Sequence, residues 1–491
     1  MATPIDTASS PRRRRFRSIV LWLCVCLAGS AQARMEVWLT DPDAAVLFQP
    51  QTNAPAFVPG ADSNPAAAAT NSNPVITVND AQSYQSIDGF GCCLTGGSAI
   101  HLLQMDSASR AALLRELFAA DGANIGLSYL RVTIGASDLN DRVFSYDDLP
   151  AGETDPGLKH FSLGPDQADV IPALREILAI NPEIKILGSP WSPPPWMKST
   201  GDTRGGSLKT EFYDAYATYF VKYIEAMKAV GIRIDAVTVQ NEPLNPQNNP
   251  SLLMLAPEQA EFIKHHLGPA FAAAHLDTKI ILFDHNCDRP DYPLSILNDP
   301  EAAKYVDGSA FHLYAGKIEV LSDVQRAHPD KNLYFTELWT GASSPLKGTL
   351  DYHVKHLIIG ATRNWSRNVL EWNLAADSQY QPHTDRGGCD RCLGAVSIDG
   401  NVVHRNVAYY ILAHAAKFVR PGSVRIGSSD LPSLSNVAFK TPEHKMVLIV
   451  LNSSQISRKF EIRFRDEQAA LTLNGGAVAT CVWQTPGAAR E

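Results

Sequence analysis

Between residues 86 and 374 the sequence couples a short apolar run to a longer amphipathic one eight times over, and few folds can accommodate that text. The runs are Ser86 to Leu94, Gly126 to Ile134, Ile184 to Ser189, Ala236 to Gln240, Lys279 to Phe283, Gly308 to Leu313, Leu333 to Leu338 and Val369 to Leu374. Near-continuous apolar runs of this length are what parallel strands covered on both faces require. The stretches between them, such as Ser107 to Ala119, Asp166 to Ala179, Glu211 to Val230 and Pro257 to Ala274, carry apolar residues at helical spacing. Eight strand-helix units predict an α/β protein built on a (β/α)8 TIM barrel.

Past Val419 the period changes. Val437 to Lys440, Met446 to Asn452, Lys459 to Arg463 and Cys481 to Gln484 are short and strand-like, which predicts an attached β-sandwich domain. Four strands are too few for a sandwich, so the strand-like Met35 to Thr40 and the segment near Ile76 to Val78 are expected to complete it. Between them, Gln49 to Pro74 is rich in Pro, Ala and Asn and reads as a linker. The expected organisation is 1–33 a signal peptide, 34–85 N-terminal strands and linker, 86–418 the catalytic barrel and 419–491 the sandwich.

The first 33 residues have the layout of an export signal: Arg12 to Arg15 with Arg17, an apolar stretch Ile19 to Ala28, then Ala31-Gln32-Ala33. The apolar stretch is too short for the roughly 20 residues of a bilayer span, so no permanent membrane span is expected. Cleavage after Ala33 would make the protein secreted or periplasmic. The 491 residues carry 43 Lys and Arg against 51 Asp and Glu, a formal charge of -8, and the signal takes five Arg with it. An acidic chain is not an electrostatic partner for nucleic acid.

Six cysteines lie beyond the signal: Cys92, Cys93, Cys287, Cys389, Cys392 and Cys481. Cys389 and Cys392 sit among glycines, where a loop-stapling disulfide is favoured over free thiols or half a zinc site. No metal site and no organic cofactor is expected, since there is no Gly-x-Gly-x-x-Gly before a helix, no phosphate loop and no His-Glu-x-x-His.

In such a barrel the chemistry lies where strands end, so polar residues directly after the apolar runs are the first suspects. The fourth run leads to Gln240-Asn241-Glu242-Pro243, the seventh to Thr336-Glu337-Leu338-Trp339, and the eighth to Glu371-Trp372-Asn373. Two carboxylates brought by different strands to one mouth are the equipment of a glycosidase. One must stay neutral to protonate the leaving oxygen, and the other must be ionised to attack the anomeric carbon. Glu242, in a turn forced by Pro243, suits the proton donor; Glu337, in an apolar strand near a cation or a Tyr hydroxyl, suits the nucleophile. Arg131, inside the second strand, is the cation expected to neutralise them.

From about Gly89 onward the chain resembles glycoside hydrolase family 30, the glucosylceramidase and β-1,6-glucanase family of retaining barrel glycosidases. The resemblance rests on Gly89-Phe90-Gly91, the run Ser189-Pro190-Trp191-Ser192-Pro193-Pro194-Pro195-Trp196-Met197-Lys198, Gln240-Asn241-Glu242-Pro243, Phe311-His312-Leu313-Tyr314 and Glu371-Trp372-Asn373. It implies Glu242 as acid/base, Glu337 as nucleophile and Asn241 as ligand of the sugar's 2-hydroxyl. Trp191, Trp196 and Trp372 would wall the sugar rings, with Trp191 and Trp196 set in a Pro-rich loop where packing is harder to arrange. His312 and Tyr314 would either orient Glu337 or touch the sugar.

One departure bears on the substrate. Many glucosylceramidases carry an Asp after the Thr of the first strand-end motif, but this chain reads Leu94-Thr95-Gly96-Gly97. With Asn241-Glu242-Pro243-Leu244-Asn245-Pro246 and Asp284-His285-Asn286-Cys287-Asp288-Arg289-Pro290, this resembles the β-1,6-glucanase branch. The expected partner is a β-glucan or glucoside, with a glucosylceramidase or exo-β-glucosidase as the alternative and a non-catalytic carbohydrate-binding protein as a third reading.

Overall fold

A computed structural model describes residues 35–60 and 73–484. The expected export signal lies outside these residues. No helix among them is long and apolar enough to cross a membrane.

The eight runs close into a parallel barrel. In chain order its strands are Gly89–Leu94, Tyr129–Thr133, Lys185–Ser189, Ala236–Thr238, Lys279–Asn286, Val306–His312, Asn332–Glu337 and Ser366–Asn373. Every neighbouring pair is parallel, and the eighth strand pairs back with the first. The inner floor is a layer of Tyr129, Leu187, Ala236, Ile281, Ala310, Tyr334 and Leu370, one residue from each strand after the first. Side chains therefore fill the barrel below the mouth, as close packing demands.

Local chemistry sets the helix starts. Thr95 caps the helix Gly96–Gln104, accepting from the Ser98 amide at 3.1 Å. Asp106 caps Ser107–Phe118, accepting from two amides at 2.9 Å. Substituting such a cap by Ala costs about 1 kcal/mol. The helix begun at Ala256 widens to a π-turn over Ile263–Leu267, just before Pro269, which has no amide proton to donate.

The second domain is one ten-stranded sheet. Its strands Val424–Ser428, Ser435–Lys440, Lys445–Leu451, Arg458–Phe464, Glu467–Leu473 and Val478–Gln484 are joined by Glu36–Asp41, Val46–Pro50, Val58–Pro59 and Val75–Ser86. Residues from both ends of the strand order, Val37 and Leu473 among them, share one apolar core, so the sheet curls over on itself. Lys445–Leu451 is buried on both faces because Met446, Leu448 and Val450 enter that core, while Val447, Ile449 and Leu451 join the core of the barrel. The barrel helix Val407–Ala416 docks there, with His414 bonded to Thr480 at 2.9 Å and Thr40 at 2.8 Å.

Cys389 and Cys392 are joined in a disulfide. Cys92, Cys93, Cys287 and Cys481 are buried and free.

Candidate active site

The C-terminal mouth of the barrel holds an open cavity of about 320 Å3. Glu242, Glu337, Trp191, Trp372 and Tyr314 line it, joined by Asp138, Asn245, His285, Trp339 and the Cys389–Cys392 pair. A larger hollow of about 670 Å3 lies at the opposite mouth. Lys185 and Arg233 pair with Asp235 there and Lys279 with Asp307, and that end of a barrel supplies stability rather than chemistry.

The deepest element of the site is a buried charge network. Arg131, wholly buried on the second strand, uses one nitrogen for Ser189 at 3.1 Å, Asn241 at 2.7 Å and Asp284 at 2.8 Å, and its other terminal nitrogen for Glu337. Its guanidinium lies 4.7 Å from the Trp191 ring centre and 5.7 Å from that of Trp372. Desolvated contacts of this kind are worth about 2 kcal/mol. Asp284 collects five donors: Arg131, Ser189 at 2.7 Å, Thr238 at 2.7 Å, Thr336 at 2.6 Å and His312 at 3.1 Å. Burial alone would push its carboxyl up, but Arg131 and His312 hold it far below the usual carboxylate range.

Backbone strain aims these groups. Phe283 and Asp284 have φ of 74° and 63°, and the fifth strand slips register against the sixth beside them, between Ala310 and Phe311. Glu242 itself sits at φ 44°. Left-handed conformations cost non-glycine residues roughly 1–3 kcal/mol each and persist where the surroundings over-determine them.

Glu242 and Glu337 are 7% and 6% exposed, buried apart from the face they show the cavity. Glu337 accepts from the Tyr314 hydroxyl at 2.9 Å in addition to its contact with Arg131. Glu242 accepts from the Asn245 amide at 2.7 Å, with His312 Nδ1 at 3.4 Å and His285 Nδ1 at 3.9 Å from its other oxygen. One carboxylate oxygen of each Glu and a ring nitrogen of His312 all lie within 4.8 Å of one another. By distance alone that trio could ligate a metal, but the Arg131 guanidinium already occupies Glu337, and His312 faces the carboxylates as a cation. Burial disfavours that charge; Glu337, Asp284 and Glu242 outweigh it and raise the imidazole to about 9.

The protonation pattern differs from the sequence expectation. A proton donor needs Glu242 neutral, yet in the free site its carboxyl lies below its ordinary value. Burial would raise it, but the hydrogen bond and charge of His312, with His285 and Asn245, prevail. Glu337 lies above its ordinary value, because burial and the charges of Glu242 and Asp284 exceed the pull of His312 and Arg131.

Trp196 also differs. It does not line the cavity. The prolines close the segment into a tight turn, Pro195–Met197, and Trp196 packs edge-on against Phe212 at 5.0 Å with its Nε1 donating to the Asp147 carbonyl at 2.9 Å. Lys198 locks the same segment from below, donating to Ser192 at 2.9 Å and to the carbonyls of Thr203 and Ser251 at 2.7 Å. Asn241 is held by Arg131 and His312 by Asp284, and Trp191 and Trp372 pair at 5.3 Å as one wall.

Asp284, Asp138, His285, Asn245 and Trp339 were not singled out as site residues. Asp284 follows an apolar run directly, the same signal that picked out Glu242 and Glu337. Asp138 has no such signal, since it lies four residues into an irregular loop. It supplies a third carboxyl to the cavity, held by the Cys389 amide at 3.2 Å and raised to about 7 by burial and by Glu337. The glycines at the departure from the glucosylceramidase text are steric. A Cβ on Gly96 would stand 1.9 Å from Asn140 Nδ2, and one on Gly97 2.7 Å from the Leu139 carbonyl oxygen.

Comparison with known proteins decides the family. Residues 87–419 match the glycosyl hydrolase family 30 TIM-barrel domain, and residues 422–481 match the glycosyl hydrolase family 30 beta sandwich domain. The chain belongs to glycosyl hydrolase family 30. This family 30 member is therefore a glycoside hydrolase. It is 36% identical to an endo-1,6-beta-D-glucanase of Aspergillus fumigatus over 405 residues, 77% of this chain and 81% of that one. It is 31% identical to the lysosomal acid glucosylceramidase of Mus musculus over 435 residues, 84% and 83% of the two chains. Among solved structures it is similar to an endo-beta1,6-glucanase at 34% identity and a TM-score of 0.83, over 92% of this chain and all of the other.

Proposed function

We propose that this family 30 hydrolase is an exported, retaining endo-β-1,6-glucanase. The observation that carries the mechanism is the closeness of Glu242 and Glu337, whose nearest carboxylate oxygens lie within 4.8 Å. Retaining enzymes set the two groups about 5–5.5 Å apart, whereas inverting ones need roughly 6.5–9.5 Å to seat a water between them. The linkage rests on the relatives named for β-1,6-glucan, which include the solved structure covering 92% of the chain.

Glu337 is the nucleophile, steadied by Arg131 and by the Tyr314 hydroxyl. It attacks the anomeric carbon while Glu242 protonates the departing oxygen; Glu242 then takes a proton from the water that releases the glucosyl enzyme. Asn241 spends its carbonyl on Arg131, which leaves its NH2 to donate to the 2-hydroxyl. Trp191 and Trp372 wall the ring. His312 Nδ1 stands 3.4 Å from Glu242 and is placed to pass it the proton it needs as an acid when the sugar displaces water.

The test is a product profile on a linear β-1,6-glucan, with proton NMR of the first products. Mixed oligosaccharides of retained β configuration support the reading. Turnover of glucosyl lipid with no attack on the polymer would select the glucosylceramidase alternative, and α products would reject the mechanism.

A further inference from the structure

The chain between the second barrel strand and the helical turn at Gly164–Gln167 runs for thirty residues, 134–163, without helix or strand. Irregular chain of that length needs fastening. At its centre Asp147 is 1% exposed, and both its carboxylate oxygens are buried without a hydrogen-bond partner among the described residues. Nothing in the glycosidase chemistry uses this carboxylate, and a buried carboxylate demands a counter-charge or donors.

Two ligating groups stand beside it. Asp155 is 6% exposed and takes the amide and the Nδ1 of His160, both at 2.9 Å. One carboxylate oxygen of Asp147, one of Asp155 and a ring nitrogen of His160 all lie within 4.8 Å of one another. An ion about 2.1 Å from each ligand brings such atoms to roughly 4 Å or less, so closure takes only a small inward shift. The His160 ring is largely exposed, which keeps further positions open to water. Two carboxylates and an imidazole suit Mn2+ or Zn2+, whereas Ca2+ prefers oxygen ligands throughout.

We propose that Asp147, Asp155 and His160 form a binding site for a divalent transition-metal ion that fastens this loop to the Pro-rich segment after the third strand. The ion takes the place of the proton between His160 Nδ1 and Asp155: that proton passes to solvent while the exposed Nε2 takes one up, so the ligating imidazole stays neutral. The mechanical link is in place, since the Asp147 carbonyl accepts from Trp196. The site is separate from the cavity that holds Glu242 and Glu337.

The test uses the full chain freed of metal by a chelator and then titrated with Mn2+, Zn2+ or Ca2+, reading bound metal per chain and the melting temperature. One Mn2+ or Zn2+ per chain with a raised melting temperature is expected, and His160→Gln should weaken that binding more than about tenfold. Asp147→Asn should abolish the metal-dependent rise while melting no lower than the metal-free parent, because it removes a carboxylate that burial and the neighbouring Asp155 disfavour. A purely structural Asp147 would give a variant that melts lower with or without metal, and that outcome overturns the proposal. So would stoichiometry unchanged in both variants, binding of Ca2+ alone, or metal lost from Glu242→Gln instead.

Discussion

Arg131 and Asp284 meet at 2.8 Å with neither side chain exposed, and through that contact the fifth strand governs the carboxylate of the seventh. Removing one partner of a buried pair leaves a charge uncompensated, at about 3–5 kcal/mol. Asp284→Ala should therefore lower unfolding stability by that order. It should also depress kcat, because Arg131 then settles wholly on Glu337. Chemical denaturation with kinetics on the same preparation checks both, and a variant that loses neither contradicts the network.

Glu337→Gln and Glu242→Gln should fail differently. On the proposed mechanism Glu337→Gln should be inactive on every substrate, since no glycosyl intermediate forms. Loss of the acid/base costs roughly 10²–10⁴-fold on natural linkages but little in the first step with an activated aryl glucoside. Azide should restore Glu242→Gln and give the β-glycosyl azide, and any rescue of Glu337→Gln should give the α-azide. The opposite stereochemistry would show that the two roles are exchanged.

His312 is raised from 6.5 to about 9 by the carboxylates around it, against the effect of burial. A base with a folded value above its unfolded one contributes stability fully below about pH 6.5 and loses it as the pH rises through about 9. The stability gap between the parent and His312→Gln should thus narrow across that window. A gap that stays constant from pH 6 to pH 10 would falsify the assignment of charge to this ring.

The disulfide between Cys389 and Cys392 closes so short a loop that its contribution to stability is at most about 2 kcal/mol. Its place is the cavity wall, where the Cys389 amide holds Asp138. Replacing both cysteines by Ser should raise KM with kcat nearly unchanged, the pattern of lost uniform binding. A fall in kcat at constant KM would place the loop in the chemistry instead.

Gly96→Asp restores the carboxyl of the glucosylceramidase text but not its use. Its Cβ would meet Asn140, which also holds the Ser137 amide at 2.9 Å. Overpacking of this kind costs about 1–3 kcal/mol and should displace the loop carrying Asp138. A lower melting temperature without new activity on glucosyl lipid is expected; efficient lipid turnover would make Gly96 the determinant of substrate.

The eight barrel strands were legible because parallel strands buried on both faces announce themselves as apolar runs, and Glu242 and Glu337 were legible as the polar residues that end two of them. Trp196 misled because an aromatic residue among prolines looks exposed in sequence. Its burial depends on Phe212 and on the Asp147 carbonyl, which only tertiary folding brings beneath it. Asp138 was invisible for the converse reason: it lies in chain without period, and the amide that holds it belongs to Cys389, 251 residues away. The protonation pattern was out of reach too, since His312 faces Glu242, Glu337 and Asp284 from three other strands or their loops.

The strand Glu36–Asp41 has two neighbours in its sheet, and their places in the chain differ greatly: Val46–Pro50 follows at once, but Val478–Gln484 comes only after the whole barrel. In a chain emerging from the ribosome, the first strand of the sandwich therefore waits through synthesis of the whole barrel with one edge open. Completion of the sheet must await residues 478–484, and a ribosome that stops short of them leaves an unpaired edge on an otherwise finished barrel, a species exposed to strand-to-strand association.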